Sequence, residues 1–134
     1  WGMSSARLSL LKYGTDAVRY ILLRHVSPTE DSDLTLDAIH DHYTAHLTNG
    51  LGNLVARVMK LAETNLSAPI ARPEASPFPQ EYWDALNAFE FNRAVDLIWA
   101  RIQVLDERIT SEKPFNLVKE DVEKGRALIS LLVA

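Results

Sequence analysis

Two pairs of side chains in the middle of the chain have the types and spacing to do chemistry. Asn53 and Arg57 stand four residues apart within His46–Lys60, so on a helix one stacks above the other. An amide and a guanidinium placed this way present several donors and one acceptor at a fixed separation. Such a set suits the Watson–Crick edge of an unstacked base better than a phosphate, and cytosine, with two acceptors and one amino donor, is a matching partner. Single-stranded RNA bases are typically read in this manner, with an aromatic ring stacked on the base. His46 and Asn49 fall on the same flank of a helical wheel, and Lys60 lies close by. From the residues alone the pair stays undecided, and polar pairs at this spacing on a solvated helix face are common.

The second pair is His42 and His46, also four apart, a spacing that can hold a metal. Tyr43 stands where the helical metalloprotease pattern needs a glutamate, and no third ligand is evident in the sequence. Two histidines on a polar flank, with no metal, is the expectation. The carboxylates Glu30, Asp31 and Asp33 with Ser32 lack the glycine turn and the later glutamate of a calcium loop. Phe115 follows Pro114 in a polar setting; it suits a platform for a base, or a plug beneath a loop, which periodicity alone favours. No phosphate loop, nucleophile elbow or Ser/His/Asp set occurs. The chain alone offers no catalytic residue.

The elements that must position these residues are helical. Thr35 caps the longest pattern, which runs to about Asn65 with Ile39, Tyr43, Leu47, Leu51, Leu54, Val58 and Leu61 on one face. Gly50 and Gly52 interrupt it, each costing about 1 kcal/mol relative to alanine; a helix packed very close there or a slight kink would account for them. Ahead of it, Ala6–Tyr13 is expected as a helix with Leu8, Leu10 and Leu11 inward, ended by a left-handed Gly14. Thr15 then caps a helix over Asp16–His25 that buries Val18, Ile21 and Leu22. Residues 26–33 read as a loop and 66–80, with four prolines, as an irregular connection. Pro79 opens a helix with Trp83 and Leu86 inward. A corner at Asn87–Asn92 leads to a helix over Asn92–Ile109 facing Val95, Ile98, Trp99, Ile102, Leu105 and Ile109 inward. Pro114 stops it, Asn116–Lys119 makes one turn, and Asp121 caps a last helix burying Val122, Leu128, Ile129 and Leu132. No strand pattern appears. The fold class expected is all-α, a bundle of about five to six helices in one domain over residues 1–134, of which 1–7 are a candidate remnant.

Composition sets the outer bounds. The 134 residues are 47% hydrophobic and 24% charged, without cysteine, which excludes disulfides and thiolate metal sites. No apolar run reaches the roughly 18–20 residues of a membrane span, and the first residues lack the basic-then-apolar order of a secretory signal. The expectation is a cytoplasmic chain with no membrane partner. A formal charge of −4 opposes nonspecific binding to a polyanion such as DNA, and leaves room only for a few placed donors.

At this point the residues carry a pattern. Lys12 to Leu23 resembles the segment that follows the catalytic domain in class I aminoacyl-tRNA synthetases. Asn49 to Arg57, Asn-Gly-Leu-Gly-Asn-Leu-Val-Ala-Arg, is similar to methionyl-tRNA synthetases, and Phe89 to Val95 with Ile98-Trp99, then Glu112 to Leu117, agree in order and spacing. The resemblance covers the chain from about Leu8 onward. It implies an α-helical anticodon-binding domain whose partner is methionine tRNA, with the catalytic domain of the full-length ligase as the other partner. Within it, Asn53 and Arg57 contact the first anticodon base, and Phe115 takes the place of a tryptophan that stacks on that base with a larger π-face. Asn49, His46, Lys60 and Pro114 are expected as peripheral contacts. Of the Lys-Met-Ser-Lys-Ser loop only Met3-Ser4 matches, and the His-Ile-Gly-His signature, the Rossmann domain and the zinc knuckle have no counterpart. The resemblance therefore implies an isolated domain without cofactor of its own, ATP and zinc belonging to the catalytic region of the full-length enzyme. The alternative is a helical protein-interaction module that keeps the fold without binding tRNA.

Overall fold

The computed structural model describes residues 5–26, 33–71 and 77–134. Among these every regular element is helical, in the order α1 (Ser5–Tyr13), α2 (Thr15–His25), α3 (Leu36–His42), a π-helical stretch (Tyr43–Gly52), α4 (Asn53–Asn65), α5 (Gln80–Asn87), α6 (Phe91–Glu112), α7 (Pro114–Glu120) and α8 (Val122–Val133). The all-α expectation holds. Glu30, Asp31 and Ser32, the start at 1–4 and Pro73 lie outside the described residues.

Local chemistry sets most of the boundaries. The Thr35 hydroxyl accepts from the Ala38 amide at 3.1 Å, and the Asp121 carboxylate accepts from the Lys124 amide at 3.1 Å, so both expected caps form. Lys124 also pairs with Asp121 through its ammonium at 2.9 Å. That hydrogen bond, then the amide, holds the Asp121 carboxyl below its ordinary value. Thr15 is not a cap. Gly14, at φ 83°, takes the N-cap place of α2, because it must end α1 and start α2 in a conformation that a side chain disfavours. Pro79 likewise sits one residue ahead of α5. Pro114 is the first residue of α7, after Lys113 turns the chain at φ 44°.

The chain divides into two compact units, the first comprising residues 1–50 and 78–99 and the second 51–77 and 100–134. In the first unit α1, α2 and α3 pack pairwise, and its buried residues include Ser9, Val18, Ile21, Ile39, Ala85 and Ala94. Several expected core residues are instead exposed there: Leu11 at 72%, with Leu10, Leu22 and Trp83 also outside. The inward positions mix branched side chains, Val18, Ile21 and Ile39, with the small Ser9, Ala85 and Ala94, and these leucines lie outside them. In the second unit Leu54 and Val58 of α4 join Ile109 of α6 and Leu128 and Leu132 of α8 in one cluster. Leu105 and Val122 are exposed, Val122 because it begins α8 directly after the Asp121 cap.

Two glycines mark close approaches. A Cβ on Gly125 of α8 would lie 2.5 Å from Val118 Cγ2 and 2.6 Å from Val118 Cα, so α7 and α8 pack with backbone against side chain. A Cβ on Gly50 would lie 3.2 Å from the Trp99 ring and 3.3 Å from the Ala45 carbonyl, so of the two expected accounts, a close neighbour or a kink, Gly50 has the close neighbour. The long helix expected from Thr35 to Asn65 differs in its middle. Tyr43–Gly52 is π-helical, with i→i+5 bonds that widen the coil.

Candidate functional site

Asn53 is the first residue of α4 and is exposed; Arg57 follows one turn later, also exposed. The Arg57 guanidinium pairs with the Asp106 carboxylate of α6, each side chain half exposed. Asp106 had no signal in the sequence, because it is 49 residues away on the polar flank of another helix. The pair fixes the direction of the guanidinium fork without removing it from solvent.

Phe115 is the second residue of α7 and 51% exposed. It is not a plug. Pro114 beside it is fully buried, so the proline anchors the turn while the ring projects. Arg57, Lys60 and Phe115 line one groove of about 700 Å³, together with Lys113, Lys119 and Thr64 among others. The fold thus gathers four cations and an exposed aromatic ring, and among the described residues no carboxylate lines that groove, although the chain is acidic. Lys60 is held at 2.8 Å by Glu63 on the same helix. Asn53 does not line the groove; it stands one helical turn from Arg57 at the N-terminal end of α4.

His46 and Asn49 belong to the first unit, in the π-helical stretch. Asn49 is exposed. His46 stands in a cluster with His25 of α2 and His42 at the end of α3: the rings of His25 and His42 stack at 3.5 Å and 9°, and His25 and His46 meet edge to face at 5.4 Å. Trp99 closes on His46 at 5.6 Å and donates from Nε1 to the Tyr20 hydroxyl at 2.6 Å. Arg24 donates to the same hydroxyl at 3.2 Å and pairs with Asp96 at 2.9 Å. Burial, then the neighbouring His42 and His46, lowers the His25 pKa to about 4, with Arg24 adding to the effect and Asp96 opposing it. Burial, then Arg24 and His42, also lowers that of His46, again against Asp96. The third histidine was not legible because it lies in a different helix, 17 residues before His42.

Residues 4–59 match the family described as tRNA synthetases class I (M). The chain is 31% identical over 127 residues to the methionine–tRNA ligase of Fusobacterium nucleatum, covering 86% of this chain and 20% of that protein. It is 29% identical over 135 residues to that of Enterococcus faecalis, covering 91% and 20%. With the ligase of Caldanaerobacter subterraneus it shares 27% over 127 residues, again 86% and 20%. The chain therefore spans about a fifth of the length of the relatives it matches. No helix among the described residues is long and apolar enough to cross a membrane. The chain thus matches a fragment of the methionine–tRNA ligases, and its residues 4–59 match the class I tRNA synthetase family.

Proposed function

We propose that this segment binds the anticodon loop of methionine tRNA, and that Arg57, Asn53 and Phe115 read its first base. The observation that carries the reading is the groove that gathers Arg57, Lys60, Lys113 and Lys119 around the exposed ring of Phe115. An unstacked base lies on the aromatic face, the lysines take the flanking phosphates, and the guanidinium donates to the acceptors of cytosine. In this reading Asp106, paired with Arg57, orients that fork and accepts from the amino group that cytosine has and uracil lacks. Aminoacylation belongs to the full-length ligase, whose catalytic region supplies the ATP site.

Titration of an anticodon stem-loop carrying cytosine first, against the same loop carrying uracil first, tests the reading. Cytosine is expected to bind more tightly, and Arg57→Ala to lose about 1–3 kcal/mol on the cytosine loop. Equal affinities for the two loops at low salt would remove Asn53 and Arg57 as readers. A second reading, a helical interaction module, is favoured by one observation. An apolar groove of about 250 Å³ runs beside Val55, Met59 and Leu105, of which Val55 and Met59 are half exposed. Under that reading neither stem-loop binds.

A further inference from the structure

Three of the four histidines of the first unit, His25, His42 and His46, do not line the groove that carries the anticodon reading, and the fold brings them together from three consecutive helical stretches. We propose that His25, His42 and His46 form a site for a divalent transition-metal cation of the zinc type, held by three imidazoles with a fourth position open to solvent. One ring nitrogen from each residue lies within 4.8 Å of the other two. The Nε2 of His25 is buried and has no hydrogen-bond partner among the described residues. Buried polar atoms are ordinarily satisfied, so this nitrogen is held facing a place where a lone pair has use. All three residues are intermediate in exposure, which leaves a water free to reach the fourth position.

The donor set selects the ion. Three neutral imidazoles without carboxylate or thiolate suit zinc, copper or nickel and not magnesium or calcium, and three histidines with an open position is a known arrangement for zinc. Zinc–nitrogen bonds of about 2.0–2.1 Å at the tetrahedral angle place two ligating nitrogens about 3.4 Å apart, so nitrogens now within 4.8 Å of one another draw together by up to about 1.4 Å on binding. The parallel stack of His25 on His42 must open as they do so, since stacked rings do not aim their lone pairs at one point. Rotation about the last side-chain bond of histidine, a broad and shallow torsion, accomplishes this without moving a helix. Arg24 is the nearby cation that opposes a metal, and its charge is taken up by Asp96 at 2.9 Å. The order of the residues also fits. His42 and His46 stand four apart on one helical run, and His25 ends α2, which packs on α3. Among the described residues no carboxylate is seen hydrogen-bonded to the imidazoles, so the affinity expected is micromolar, short of that of a site with such support.

The test uses zinc chloride titrated into the chelator-stripped chain by calorimetry, with cobalt(II) absorption as a second reading. One equivalent of zinc is expected, together with a rise in Tm and an intense tetrahedral cobalt spectrum. His42→Gln should weaken zinc binding at least tenfold while far-UV circular dichroism stays helical. His40→Ala should leave it unchanged, because His40 is engaged at 3.0 Å by the Tyr13 hydroxyl and lies outside the cluster. Absence of stoichiometric binding, or equal binding by His42→Gln, would overturn the proposal. Should that variant not fold, a weak octahedral cobalt spectrum in the unchanged chain would overturn it instead. Loss of the zinc site leaves the stem-loop titration unaffected, so the two readings fail separately.

Discussion

At the scale of single residues, the groove is decided by what holds each side chain. Arg57 is half exposed and paired to Asp106, and pairs of this exposure contribute at most about 1 kcal/mol to stability. Asp106→Ala is therefore expected to change the unfolding free energy by less than about 1 kcal/mol. It should also narrow the difference in affinity between cytosine-first and uracil-first stem-loops, because the guanidinium loses its fixed direction. Denaturant melts and the paired titrations check both halves; an unchanged discrimination would show that Asp106 does not orient the reader. Phe115 is a second such residue. Its ring offers a smaller face than a tryptophan would, so Phe115→Trp should tighten binding of the stem-loop, and Phe115→Ala should weaken it by about 1–3 kcal/mol. A tighter Phe115→Ala complex would contradict stacking.

At the scale of elements, glycines and caps set where helices begin and how near they come. Gly125→Ala puts a methyl 2.6–2.7 Å from the Val118 backbone, which no rotamer change relieves. It should cost about 1–3 kcal/mol as overpacking, read as a lower denaturant midpoint. Gly50→Ala differs, since its Cβ meets the edge of the Trp99 ring at 3.2 Å. A shift of a few tenths of an ångström suffices there, and alanine regains about 1 kcal/mol of helix propensity. A changed near-ultraviolet signal with little net loss of stability is the expected outcome. The Asp121 cap carries a pH dependence. Its carboxyl is held below the ordinary 3.8 by Lys124, so its stabilising contribution is complete above that value and is lost as pH falls through the lower folded value. Asp121→Asn keeps a capping side chain and should flatten this acid limb in urea unfolding followed against pH.

At the scale of the whole molecule, charge is distributed against its own net sign. The formal charge is −4, yet one groove is lined by four cations. Binding through that groove alone displaces few counterions. With about 0.7 per phosphate for single strands, four contacts give a slope of log affinity against log salt no steeper than about −3. A markedly steeper slope for the isolated chain would mean that phosphates are bound elsewhere on it. The apolar groove beside Val55 and Met59 is a separate surface, which the salt series does not touch.

Much of the architecture follows from local sequence. Helix-forming periods, the Thr35 and Asp121 caps, the left-handed Gly14 and the break before Pro114 depend on residues within a turn or two of each other. The sequence alone was enough to place them. Burial was less legible. Ser9, Ala85 and Ala94 are inward while Leu10, Leu11 and Leu22 are not, because how close two helices come depends on both partners. The π-helical middle left a faint trace in the run Ile39, Tyr43, Leu47, Leu51, three successive steps of four. Periodicity alone did not separate it from an α-helix. The candidate site divides along the same line. Asn53 and Arg57 are one turn apart on one helix, and their spacing alone paired them. Asp106 beside Arg57, Phe115 on the same groove and His25 among the histidines are separated in sequence, and only tertiary packing, by folding distant helices together, decided that they meet.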